Sequence, residues 1–165
     1  MKKISIAAAI LLISVLATYA RENDPGYADE PDASVRNQFT DDFPDAKNVH
    51  FARLKDLNEI SFTQGKDEMI AYYDDRNQLT GTIQKESLAD LPANAQKEIQ
   101  HKYAGYTIAN VVLYRDNESD DMEMVMYGKS MDDGDNYFVE LKKDSKAIVV
   151  KVDLSGGVDY LATMK

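Results

Sequence analysis

The sequence predicts an α+β fold: two tandem repeats, each a helix plus a four-stranded antiparallel sheet, with the helices on one side of the sheet. Three observations predict it. A helical face is followed by four short extended runs, and the pattern occurs twice. The extended runs alternate apolar and polar residues, which marks sheets with one buried face. The chain has no cysteine, so packing alone must hold it.

The first repeat, residues 34–91, opens with a helix. Val35, Phe39 and Phe43 recur at i, i+4 and i+8 on one face. Asp32 or Ser34 supplies a capping oxygen. Pro44 stops the helix because proline disfavours a helical residue before it. Four strand-like runs follow: Val49 to Leu54, Glu59 to Gln64, Met69 to Tyr73 and Leu79 to Gln84. Asp74-Asp75-Arg76-Asn77-Gln78 has the composition of a hairpin connection.

The second repeat, residues 92–165, restarts the pattern. Pro92 suits the first turn of a helix. Ala95, Ile99 and Tyr103 recur at i, i+4 and i+8, and Gly105 suits the left-handed residue that ends a helix. The strand-like runs are Thr107 to Tyr114, Met122 to Tyr127, Tyr137 to Lys142 and Ala147 to Asp153. Lys143-Asp144-Ser145-Lys146 takes the hairpin position. In this reading Met69-Ala71-Tyr73 answers to Tyr137-Val139-Leu141, and Leu79-Gly81-Ile83 to Ile148-Val150-Val152. An internal repeat of this kind is one supersecondary unit used twice.

Ahead of the repeats lie two other segments. Lys2 and Lys3, the apolar run Ile4 to Leu16 and the small-residue exit Thr18-Tyr19-Ala20 are the three parts of a secretory signal peptide, residues 1–20. The run is shorter than the roughly 20 residues of a spanning helix. Residues 21–33 are rich in Asp, Glu, Pro and Gly and read as a disordered acidic linker. The expected location is the periplasm or outside the cell, with no membrane insertion after leader cleavage.

Charge narrows the partners. The formal net charge of −10 becomes −12 once Lys2 and Lys3 leave with the leader. Such a chain repels nucleic acid and anionic membranes. No cofactor is expected, and the partner expected is a protein or peptide.

Strand parity divides the faces. Met122, Met124 and Met126 are assigned inward, with Tyr137, Val139, Leu141, Ile148, Val150, Val152, Ile60 and Phe62. The opposite face then carries Ile70, Tyr72, Thr80, Thr82, Val125, Tyr127, Phe138, Glu140, Val149 and Lys151. Its aromatic content exceeds what a solvated face needs. Exposed aromatics on a rigid sheet are typical interface anchors, and cross-strand stabilisation is the plainer role. The partner-binding residues expected are Tyr72, Tyr127 and Phe138, with Ile70, Glu140 and Val125.

Catalytic signatures are not found. The two histidines, His50 and His101, fall in a strand and a helix, without a Gly-x-Ser-x-Gly elbow or a His-x-x-x-His pair. The protein is expected not to be an enzyme and to have no metal site. The alternative reading is a calcium-responsive or cation-binding envelope protein. It draws on the oxygen-rich runs Asp116 to Asp121 and Asp132 to Asn136, although neither matches an EF-hand.

Several motifs carry a family resemblance. They are Phe43-Pro44-Asp45-Ala46, Ile70-Ala71-Tyr72-Tyr73-Asp74, Leu79-Thr80-Gly81-Thr82, Leu91-Pro92, Tyr103-Ala104-Gly105-Tyr106, and Val150 through Val158 with its Ser155-Gly156-Gly157 turn. Together they resemble the PepSY-like family of exported bacterial proteins, described as similar to the β-lactamase inhibitor protein. The resemblance implies a tandem fold with helices on one side of an antiparallel sheet, and a bare sheet face used for binding. The inhibitor is disulfide-bonded, whereas this chain has no cysteine.

Overall fold

The computed structural model describes residues 32–54, 57–117, 125–130 and 134–164. The expected leader, and the linker up to residue 31, lie outside the described residues. In chain order the elements are α1 (Ala33–Asp42), β1 (Lys47–Arg53), β2 (Asn58–Gln64), β3 (Asp67–Tyr73), β4 (Leu79–Lys85), a 3-10 turn (Leu88–Asp90), α2 (Ala93–Lys102), β5 (Thr107–Asp116), β6 (Val125–Met126), β7 (Lys129–Ser130), β8 (Asn136–Lys143), β9 (Lys146–Asp153) and β10 (Val158–Met164). The fold is α+β, with two helices and antiparallel sheet.

Two compact units result. Among the described residues, one runs from residue 32 to Thr82 and takes in Asn117 and residues 125–130, and the other comprises Ile83–Asp116 with residues 134–164. The division between them falls inside β4. Two packing facts explain this. Leu88 and Leu91 belong to the core around α2. Asn117 turns back to the first unit, where its N–H donates to the Thr80 carbonyl at 3.2 Å and its side-chain amide donates to the Leu79 carbonyl.

In the first unit the Asp32 carboxylate caps α1, accepting from the Ser34 N–H at 3.3 Å. The helix ends at Asp42, two residues before Pro44. The strands follow in sequence order, β1-β2-β3-β4. Phe51 lies opposite Ile60, which lies opposite Ala71, and Phe62 lies opposite Met69. Directly opposed residues share a face, so one row of side chains meets the helix. Val35 and Phe39 of α1 are buried against Ile60, Phe62, Ala71 and Tyr73. The Phe39 ring lies 5.0 Å from Phe62 and 5.4 Å from Phe43, centroid to centroid, within the range of favourable aromatic pairs.

In the second unit the helix packs on aliphatic residues. Ala95 and Ile99 of α2 pack on Val111, Val139, Leu141, Val150 and Val152. The register explains the cluster, because Val111 faces Val139 and Val139 faces Val150. Gly105, at φ +84°, turns the chain out of the helix.

Two strand assignments need correction. Of the expected strand Met122 to Tyr127, Met122 to Met124 lie outside the described residues. Val125 and Met126 pair with Lys129 and Ser130 in a separate two-stranded ribbon. Conversely, β10 is a strand the alternation did not reveal. The unit's order is therefore β5-β8-β9-β10. Tyr137-Val139-Leu141 lies on the second strand of its unit, whereas Met69-Ala71-Tyr73 lies on the third strand of the other. The two triplets thus do not occupy the same place in strand order.

The β9–β10 turn is built around Asp153. Its Oδ1 accepts from the Ser155 hydroxyl at 2.6 Å, the Ser155 N–H at 2.8 Å and the Gly157 N–H at 3.0 Å. The Asn94 side-chain amide of α2 donates to the Ser155 carbonyl at 3.0 Å and so ties the turn to the helix. Gly156 sits at φ +91°, and a methyl group there would collide with the Asn94 amide. The Ser155 hydroxyl, followed by the Gly157 N–H, holds the Asp153 carboxyl below its usual value. A carboxylate shifted down contributes stability that is present above its unfolded pKa, about 3.9, and is lost as pH falls through the lower folded value. Thermal unfolding followed across the acid range should therefore show Asp153→Asn lacking one component of the wild-type acid destabilisation. Superimposable acid limbs would contradict the turn geometry.

Candidate functional site

The six expected binding residues do not form one exposed patch. Ile70, Tyr72, Val125 and Tyr127 belong to the first unit, and Phe138 and Glu140 to the second. Parity placed Tyr72 and Phe138 correctly opposite the helix-facing residues. The expectation of exposure, however, is overturned. Tyr72 is 0% exposed, Phe138 1% and Glu140 5%. Ala71, Tyr72 and Tyr73 are buried consecutively, as are Phe138, Val139, Glu140 and Leu141. A consecutive buried run on a strand means that both faces are covered there. Alternation fixes which face a side chain takes. It does not fix whether that face meets solvent.

Local partners fit this burial. The Tyr72 hydroxyl donates to Glu59 Oε2 at 3.1 Å, and its carbonyl accepts from the Thr80 hydroxyl at 3.1 Å. Ile70 is half-buried on β3, opposite Ser61. Val125 is half-buried on β6.

Tyr127 departs furthest from its expected setting. It sits in the two-residue turn between β6 and β7 rather than in a strand, half-buried at φ +52°, with Gly128 at φ +72°. Positive φ at both central residues is the type I′ hairpin geometry, which normally selects Asn-Gly or Gly-Gly. A tyrosine there is uncommon and carries backbone strain of about 1–2 kcal/mol. Val125 and Tyr127 therefore do not share a strand face, as simple alternation predicted.

The described residues also form an open polar groove of about 540 Å³ in the first unit. It is lined by Ser34, Gln38 and Asp42 of α1, Arg76 to Leu79 of the β3–β4 turn, and Asn117. The turn is self-capped, with Asp74 Oδ1 accepting from the Arg76 N–H at 2.9 Å and the Gln78 N–H at 2.7 Å. Asn77, at φ +63°, donates its amide to Ser34 Oγ at 3.0 Å. The Asp42 carboxylate receives the Tyr73 hydroxyl at 2.7 Å and the Gln38 amide at 3.0 Å. Burial, then the Asp42 hydrogen bond and charge, hold the Tyr73 hydroxyl far above the usual phenol value. Ser34 is the lone hydroxyl lining the groove. Its oxygen accepts from the Asn77 amide. Sequence reasoning missed this groove, although Ser34, Gln38 and Asp42 mark it at the i, i+4, i+8 spacing of the helix's polar face.

The remaining candidates resolve simply. His50 and His101 are exposed. Most of the two oxygen-rich runs, residues 118–121 and 132–133, lies outside the described residues. Among the described residues no group of three or more His, Asp or Glu side chains is placed to hold a metal ion. No helix among them is long and apolar enough to cross a membrane.

Comparison with known proteins gives a fold and no family. No family model matches the chain, and no curated protein sequence does. Solved structures do match. A BLIP-like protein from Bacteroides fragilis aligns with a TM-score of 0.63 at 14% identity, covering 82% of this chain and 86% of that one. A DUF2874 family protein from Bacteroides uniformis gives a TM-score of 0.64 at 13% identity, over 78% and 86% of the two chains. A protein from Bacteroides eggerthii named as a candidate periplasmic protein gives 0.66 at 11% identity, over 82% and 89%. At these identities the likeness shows a shared fold. It carries the inhibitor-like half of the resemblance read from the motifs, while the PepSY half has no counterpart in it.

Proposed function

We propose that the chain is an exported module that binds a protein or peptide partner and catalyses nothing. The observation that carries this reading is the fold, shared over 82% of the chain with a protein named BLIP-like. The charged, apolar and small-residue segments of residues 1–20 support export, as does the name of the Bacteroides eggerthii neighbour. The same reading takes the two units as copies of one helix-plus-four-strand element.

The contact surface proposed is the β6–β7 hairpin, with Tyr127 as its anchor and Val125 beside it. Strained backbone is tolerated where the surroundings demand it, and such positions gather at binding sites. Glycine accepts the Tyr127 backbone without strain, so Tyr127→Gly should fold at least as well as the wild type. It should also reduce capture of the partner at least tenfold, the scale of a lost interface tyrosine. The measurement is affinity capture from envelope extract with both proteins immobilised side by side, read by quantitative mass spectrometry. Equal recovery by both would exclude the hairpin. Recovery of no specific protein by the wild type would overturn the binding function itself.

A further inference from the structure

One end of the second unit reverses the charge character of the chain. Its components come from three segments. His101 and Lys102 close α2, Tyr103 to Ile108 lead into β5, and Lys142, Lys143 and Lys146 flank the β8–β9 turn. Pairing brings them together. Lys143 lies opposite Lys146, and Thr107 lies opposite Lys142, donating its hydroxyl to the Lys142 carbonyl at 3.1 Å. The Lys143 amine stands 5.7 Å from the centre of the Tyr106 ring, and the Lys102 amine 5.8 Å from that of Tyr103. The two rings lie 6.1 Å apart in an edge-to-face arrangement. His101 and all four lysines are exposed, both tyrosines are half-buried, and Ile108 is 40% exposed beside them.

Charge counts sharpen the contrast. Lys102, Lys142, Lys143 and Lys146 face Glu98 and Asp144, a balance of +2 in a chain of −10. The Lys102–Glu98 contact is a long, exposed 3.5 Å pair, which neutralises little. Charges beyond about 8 Å are screened at physiological salt, so a surface approaching this end meets the lysines rather than the acidic remainder. The local balance at this end is thus opposite in sign to the net charge of the chain.

We propose that this end docks peripherally on an anionic membrane surface. The cations identify the occupant. All those fixed in charge are lysines, which act as mobile point charges. Arginine is the residue that grips a carboxylate through two parallel hydrogen bonds, and the patch contains none. A field of lysines suits a fluid plane of phosphate headgroups better than one peptide carboxylate. Tyrosines with amines over their rings belong at the headgroup level, and Ile108 supplies apolar area that reaches just below it.

Protein purified after export should sediment with vesicles of pure phosphatidylglycerol and not with pure phosphatidylcholine, and added salt should release it. Each lysine near such a surface is worth roughly fivefold in partition. The triple variant Lys102→Gln, Lys143→Gln, Lys146→Gln should therefore bind roughly a hundredfold more weakly. Ile108→Ser should weaken binding without altering its salt dependence. These positions are solvent-facing, so circular dichroism should show both variants folded. Failure of the wild type to sediment with phosphatidylglycerol at low salt would overturn the proposal, as would undiminished binding by the triple variant. So would retention on soluble polyglutamate without sedimentation on vesicles, an outcome that assigns the patch to an acidic polypeptide. Because the test involves no protein partner, its outcome is independent of the hairpin function.

Discussion

Truncating Phe39 to alanine is expected to destabilise the protein by about 3–5 kcal/mol, the range for deleting a buried aromatic ring. Phe39 is 3% exposed at the centre of the first core. Its ring meets Phe62 and Phe51 edge-on, at 5.0 and 6.0 Å, and lies 5.4 Å from Phe43. These neighbours come from the C-terminal cap of α1, from β1 and from β2, so the cavity would open where three segments converge and cannot close by moving one of them. Against a typical domain stability of about 5–15 kcal/mol, the loss is large. Urea unfolding measures it as a lower midpoint at similar slope. Phe43→Leu, at the half-buried rim of the same cluster, should cost far less. A Phe39→Ala cost below about 1 kcal/mol would mean that α1 does not pack as described.

The same core shows what was legible in the chain. Helix limits are local events with local causes, so Asp32, Pro44, Pro92 and Gly105 gave them away. Face assignment was legible for a similar reason. Val139 and Val150, or Ile60 and Ala71, obey the two-residue period whatever the rest of the molecule does. β10 was not legible. Along Val158–Met164 the exposures do not alternate cleanly, and its pairing with β9 slips between Tyr160 and Ala162. A bulge breaks the period on which strand recognition depends. The Val125–Tyr127 segment failed for a different reason. Its apolar alternation is real, but Tyr127 occupies a left-handed position that residue preferences assign to glycine or asparagine. Neither the polar groove nor the basic end was legible, because each joins segments distant in sequence. Gln38, Asn77 and Asn117 line one together, and Lys143 stands over the Tyr106 ring in the other.

The second large effect concerns Tyr72 and Phe138, and it separates a folding role from a binding role. On an open sheet face, replacing both by serine would leave the fold intact and remove a docking surface. With exposures of 0% and 1%, each substitution instead removes a buried ring at about 3–5 kcal/mol and leaves a hydroxyl to be satisfied. Phe138 lies between Val112 of β5 and Lys151 of β9 across the strands, so its loss weakens the centre of its sheet. Tyr72→Ser also strips Glu59 of a hydrogen bond. The two residues belong to different units, so each unit is damaged separately and the double variant should approach the whole stability of the chain. Circular dichroism and urea midpoints should therefore show Tyr72→Ser/Phe138→Ser unfolded or nearly so, with Tyr127→Gly native. A double variant that unfolds at the wild-type midpoint would restore the open face as a surface. Loss of partner capture by the double variant would otherwise reflect unfolding, whereas loss by the folded Tyr127→Gly protein reports on contact.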